Sequence, residues 1–270
     1  MRIDIGMQKG GVGKTTTTIN LAGALNDAGN DVLIVDADPQ GGATLKTGHR
    51  DQYRTAEYAL YDVLSEMGQL SLDDLNELIS TGDEFDIAPS HLRNFRLEKH
   101  LYSEARGVEA LKLALDRGDV DSTYDYVLID SPPNLGPLAD GALLAAENVI
   151  FPSHANTIAK DSLEILFDEI DTLEDKFDDV NISTVAAVLN EVGRDGVSAE
   201  MKEWFEGTFG EEYVFEIPDW AAVEHAIEYR TSVFAYDPDD AGYAWDADKV
   251  EELCDRYGAL AAHVEGLSDD

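Results

Sequence analysis

The sequence predicts an α/β protein: a doubly wound, mostly parallel sheet flanked by helices. Three observations carry that expectation. Residues 32–36 and 126–130 (VLIVD, YVLID) are apolar almost throughout rather than alternating, the pattern of strands buried on both faces. Segments with apolar residues at helical spacing lie between such runs. The 270 residues, 44% of them hydrophobic, show no repeat and no linker rich in Pro, Gly or Ser, so one domain over residues 1–270 is expected.

The elements follow in order. Residues 1–5 read as a strand and 15–28 as a helix, with Ile19, Leu21, Ala22, Ala24 and Leu25 as its apolar face and Gly29-Asn30 as its stop. Residues 32–36 return as a strand, which makes a right-handed parallel crossover. Residues 60–64 and 70–79 read as helices, 85–88 as a short strand and 108–115 as a helix. Strand 126–130 is followed by the turn Ser131-Pro132-Pro133, then helix 138–146 and strand 148–152. Residues 158–177 form a long amphipathic helix, 183–190 a strand and 199–209 a helix. Residues 214–217 are the last clear strand and 247–264 the closing helix.

Composition excludes several classes. No run approaches the roughly 18 apolar residues of a membrane span. The start MRIDIGMQKGG lacks a secretory signal pattern, so a cytoplasmic protein is expected. A lone cysteine, Cys254, permits neither an intramolecular disulfide nor a cysteine-built metal site, and is expected as a small core residue. The six histidines are scattered without metal spacing. Nineteen Lys and Arg against 56 Asp and Glu give a net charge of −37. Such an excess repels itself at low ionic strength and is screened at molar salt. The preferred reading is a halophile's protein adapted to molar potassium; the alternative is a merely acidic one.

After the first strand stands Met7-Gln8-Lys9-Gly10-Gly11-Val12-Gly13-Lys14-Thr15-Thr16. Between a strand and a helix, these glycines let backbone N–H groups turn inward as an anion nest, and the helix start adds positive charge. Lys14 has the reach for β- and γ-phosphates, and the Thr15 hydroxyl can ligate Mg²⁺. The usual spacing G-x-x-x-x-G-K-[ST] fails, because Gln8 holds its first glycine position; a second lysine, Lys9, precedes Gly10-Gly11 instead. The second strand ends in Asp36-Ala37-Asp38-Pro39-Gln40-Gly41 and the strand at 126–130 in Asp130, followed by Ser131-Pro132-Pro133-Asn134-Leu135-Gly136. Carboxylates at strand ends beside a phosphate loop are placed for Mg²⁺ and water. The loop 131–136 is a plausible switch, because a γ-phosphate can order it.

These boxes resemble the deviant Walker A ATPases of the ParA/MinD family, and the resemblance runs from Ile3 to about Val264. Residues 142–166 and 236–242 resemble further family stretches, and the Gln40 box favours the ParA (Soj-like) branch. The resemblance implies an ATP hydrolase with ATP and Mg²⁺ as cofactors and slow intrinsic turnover. It implies that Lys9 reaches a partner's ATP phosphates, making nucleotide binding and homodimerisation one event. Lys9 would then take the arginine finger's role, since Arg2 stands at the start of the first strand, and Lys46 and Arg50 lie beyond the second box. It implies that Lys9, Gly10, Gly11, Val12, Gly13, Lys14, Thr15 and Thr16 cradle the phosphates, that Asp38 orders the attacking water, and that Thr15, Asp36, Asp38 and Asp130 serve the metal. Asn190 and Pro218 are where the family frames adenine; a strand-end Asn and a turn Pro fit the residues equally well.

Family partners would be a ParB-like adaptor and nonspecific DNA, with a role in plasmid or chromosome partition or cargo positioning and association with the nucleoid. The alternatives are a MinD-like spatial regulator acting on a protein partner without DNA, and a nucleotide-dependent assembly scaffold. Residues 260–270 hold no Lys or Arg and end Asp269-Asp270, which argues against a basic membrane helix. No separate DNA-binding domain is expected before the loop. DNA binding itself meets opposition. Residues 211–270 hold 17 carboxylates and three cations, and Asp219-Trp220-Ala221 stands where relatives carry arginines. The densest basic stretch, residues 91–117, is either a nucleoid-facing patch or a solvated helix face.

Overall fold

Seven strands form one sheet in the order β3-β2-β4-β1-β5-β6-β7 in a computed structural model that describes residues 1–154, 158–190 and 196–268. The elements are β1 (Arg2–Ile5), α1 (Lys14–Asp27), β2 (Val32–Asp36), α2 (Gly42–Lys46), α3 (Arg50–Thr55), α4 (Leu60–Leu64) and β3 (Asp86–Ala88). There follow α5 (Asn94–Leu101), α6 (Ala110–Arg117), β4 (Tyr126–Asp130), α7 (Pro137–Ala146), β5 (Asn148–His154) and α8 (Ile158–Lys176). The chain continues as β6 (Ser183–Asn190), α9 (Gly196–Phe209), β7 (Val214–Ile217), α10 (Ala221–Glu228) and α11 (Ala247–Ser268).

Every pairing between these strands is parallel, so the expected "mostly parallel" sheet is fully so among the described residues. The reason is visible in the side chains. Successive residues of a strand point to opposite faces, and here both faces are covered. Val32 and Ile34 of β2 join the apolar cluster under α1, α10 and α11, whereas Leu33 and Val35 join the one under α4 to α7. Val149 and Phe151 of β5 pack beneath α8 and α9.

One expected helix differs in kind. Residues 70–79 form a 3₁₀ helix, Leu72–Leu78. Leu72, Leu75 and Leu78 are three apart, the spacing that a 3₁₀ turn brings onto one face, and Leu75 and Leu78 are buried. Ser71 holds its start, donating from both N–H and hydroxyl to the Asp74 carboxylate at 2.7 Å. Helices α2, α3, α5 and α10 were not anticipated. Cys254, expected in the core, is half-buried, and burial pushes its thiol up to about 11. Residues 155–157 of the family-like stretch 142–166, and Asp269-Asp270, lie outside the described residues.

No helix among the described residues is long and apolar enough to cross a membrane.

Candidate nucleotide site

The carboxyl ends of β1, β2 and β4 converge at the sheet centre. Asp36 and Asp130 are partners in register, and Ile5 pairs with Asp130 on the other side. The chain leaving β2 is hooked there, since the N–H groups of Ala37 and Asp38 both donate to the Asp130 carbonyl at 3.1 Å.

The loop after β1 turns into α1 through two left-handed glycines, Gly11 at φ +74° and Gly13 at φ +92°. Lys14 curls over it, donating from Nζ to the carbonyls of Lys9 at 2.9 Å and Met7 at 3.2 Å. Burial pulls the Lys14 ammonium down, while Asp130, Asp38 and Asp4 pull it back up. The Thr15 hydroxyl donates to Asp130 Oδ2 at 2.8 Å. Burial pushes Asp130 up to about 6, against the Thr15 bond and the charges of Lys14 and Lys46. Asp36 Oδ2 accepts from the N–H and hydroxyl of Thr44 at 2.7 and 2.6 Å, which ties it to α2, while its Oδ1 is buried without a partner. Asp38 Oδ1 accepts from the Gln40 N–H at 2.9 Å; burial raises this carboxyl, and the Gln40 bond and Lys14 lower it.

A cavity of about 380 Å³ opens over Gly11, Gly13, Lys14, Thr15, Thr16 and Asp38. A second, of about 120 Å³, lies between Gly13, Asn190, Pro218, Trp220 and Glu224, and shares Gly13 and Thr16 with the first. Asn190 and Pro218 therefore meet at the smaller cavity, whereas Asp38 lines the larger one. Asn190 also holds the loop, with Nδ2 donating to the Val12 carbonyl at 2.8 Å.

Magnesium and a nucleoside triphosphate fit this donor set. The orphaned Asp36 Oδ1, the Thr15–Asp130 pair and a glycine loop with its Lys14 supply hard oxygens and anion-binding N–H groups side by side. The described residues contain no cluster of three or more protein ligands that would cage a metal, and Mg²⁺ at such sites characteristically uses one or two carboxylates plus phosphate oxygens and water.

Three features escaped sequence reasoning. Lys46, on α2, borders the phosphate cavity. Asp4 of β1 is fully buried beneath the loop, and burial pushes it up to about 7 against Ser131 and Lys14. Trp220 walls the smaller cavity. None had a sequence signal, because each depends on where an unanticipated helix or a strand face lies. The basic stretch 91–117 is largely neutralised. Arg93 pairs with Asp62 at 2.8 Å, Arg106 with Glu109 at 2.6 Å, Arg117 with Asp73 at 4.0 Å, and Lys112 with Glu147.

Known proteins share this arrangement. Residues 1–183 match the AAA_31 family, described as an AAA domain. The chain is 30% identical over 257 residues to the sporulation initiation inhibitor protein Soj of Bacillus subtilis, covering 93% of this chain and 97% of Soj. It is 34% identical over 241 residues to the chromosome partitioning protein ParA of Caulobacter vibrioides, covering 88% of each. The fold superposes on that of Cyanothece McdA, solved as an ATP complex, with a TM-score of 0.80 at 20% identity over 98% of this chain and 96% of McdA. With its phosphate loop, strand-end aspartates and relatives of near-equal length, the chain belongs to the AAA_31 family and, within it, to the ParA-type P-loop ATPases.

Proposed function

We propose that this chain hydrolyses ATP slowly as a deviant Walker A ATPase, dimerises on ATP, and serves DNA partition or cargo positioning with an adaptor that stimulates hydrolysis. The observation that carries the reading is the hydrogen bond from Thr15 to the buried Asp130, with Thr15, Lys14 and Asp38 all lining the phosphate cavity. Phosphoryl transfer is mostly positioning and charge neutralisation. Lys14 and the loop N–H groups bind the β- and γ-phosphates. Thr15, with Asp130 and Asp36, would hold magnesium, which would supply further charge neutralisation. Thr15, with Asp130 and Asp36 behind it, orients that end of the site, and Asp38 orders the attacking water through the oxygen that Gln40 leaves free. Asn190, Pro218 and Trp220 border the smaller cavity and take the base.

Lys9 supports the dimer. Its ammonium has no carboxylate partner among the described residues, although the chain holds 56 carboxylates. It is thus available to a partner's phosphates. Among the described residues no arginine borders the phosphate cavity, which agrees with slow intrinsic turnover. The charge of −37 supports a cytoplasm of molar salt.

One observation favours a second reading, a MinD-like regulator acting on a protein partner without DNA. The C-terminal region is strongly acidic, and four of the six cations in residues 91–117 are already paired. Phosphate release from ATP by wild type and Asp38→Ala tests the enzyme assignment: loss of turnover is expected in the variant, and equal rates would refute it.

A further inference from the structure

Lys46 ends α2, whose first residue, Gly42, approaches α1 so closely that a Cβ there would lie 2.7 Å from Thr15 Oγ1. That approach carries the Lys46 side chain to the phosphate cavity, where Nζ lies 3.5 Å from Thr16 Oγ1. This long contact is its one hydrogen bond among the described residues, and no carboxylate lies within ion-pair distance. Several cations away from the site are paired: Arg2 with Asp116 and Asp121, Arg93 with Asp62, and Lys202 with Glu206 and Glu216. Burial pulls the Lys46 ammonium down, and the more distant charges of Asp130 and Glu224 only partly offset this. A half-buried ammonium with one weak partner lacks the compensation that a bound anion would supply.

Its place along the site is also defined. Asp38 and Asp130 mark the end where the γ-phosphate and water meet, and Lys14 spans the loop. Thr16 borders both cavities, so it marks the passage from phosphates to base. We infer that Lys46 is a nucleotide-binding residue in cis, gripping the phosphate nearest the ribose, so that it holds ADP and ATP alike. Its task is opposite to that of Lys9, which answers only to the triphosphate. The inference rests on the proposed nucleotide site.

The test is a fluorescence titration with N-methylanthraniloyl-ADP and the corresponding ATP, each with Mg²⁺, on wild type, Lys14→Ala, Lys46→Gln and Lys46→Arg. Lys46→Gln keeps the stem and removes the charge. It should weaken both nucleotides by about tenfold, while Lys46→Arg stays within about threefold of wild type. In turnover assays the loss should fall on KM rather than kcat. Circular dichroism matching wild type secures the folded state, and Lys46→Ala serves in place of a variant that misfolds. If wild type binds neither nucleotide, or Lys14→Ala binds as wild type does, the site itself is wrong. If Lys14→Ala loses binding while Lys46→Gln keeps it within twofold, or loses ATP but not ADP, the role of Lys46 alone is overturned.

Discussion

The Asn190 amide nitrogen, at the last residue of β6, donates to the carbonyl of Val12 inside the phosphate loop at 2.8 Å. It also stands where a Cβ on Gly13 would collide, at 2.4 Å, so the loop's left-handed turn and the end of β6 are fitted to each other. The far side of the sheet thus sets the shape of the loop that α1 grows from.

This relationship predicts a loop-ordering role for Asn190 beside any contact with the base. Asn190→Ala frees a buried carbonyl and should lower stability by about 1–2 kcal/mol, read from urea midpoints. It should also weaken ADP and ATP together. Unchanged stability with a change of base preference would assign Asn190 to adenine alone.

Gly13→Ala should be more damaging. It imposes a side chain at φ +92° and presses on Asn190, so nucleotide binding should disappear. The double variant Gly13→Ala/Asn190→Ala relieves only the collision and should recover part of the stability but little binding. Full recovery would show that backbone strain is immaterial.

Asp4 predicts a pH dependence in the absence of nucleotide. Its carboxyl, facing Ser131, Lys14 and Asp130, is pushed up to about 7 by burial. Below about pH 4 both folded and unfolded chains hold the proton; between about 4 and 7 the folded chain alone does. The contribution of Asp4 therefore favours the folded state most in acid and falls as pH rises through that window. Thermal melts of Asp4→Asn should show a flatter profile and a higher midpoint at pH 8 than wild type. Parallel profiles would remove Asp4 from the account.

The paired arginines predict weak DNA binding. With ATP at molar KCl, filter retention of nonspecific duplex should be absent, and retention should rise only as salt is lowered. Tight retention at molar salt would favour DNA as a direct partner.

Much of this was legible in the sequence, for physical reasons. Strands buried on both faces are continuous apolar runs, so β2, β4 and most of β6 stand where Val, Leu, Ile and Ala follow one another. A glycine loop with its lysine, and aspartates at two strand ends, announce themselves because that chemistry needs adjacent residues. Helix α5 was not placed as an element: it is only eight residues long and carries Arg96, Lys99 and His100. Lys46 and Asp4 were hidden because their meaning lies in a neighbouring element's position. Lys46 is 30 residues from the Thr16 it meets.

The proposed ATP-dependent dimer is the most direct point of test. Light scattering on Asp38→Ala, which should bind ATP without consuming it, measures mass with Mg-ATP and with Mg-ADP at molar KCl. The account predicts a doubled mass with ATP alone, and a monomer under both conditions once Lys9→Ala is added. A monomer with ATP, or a dimer that survives Lys9→Ala, would contradict it.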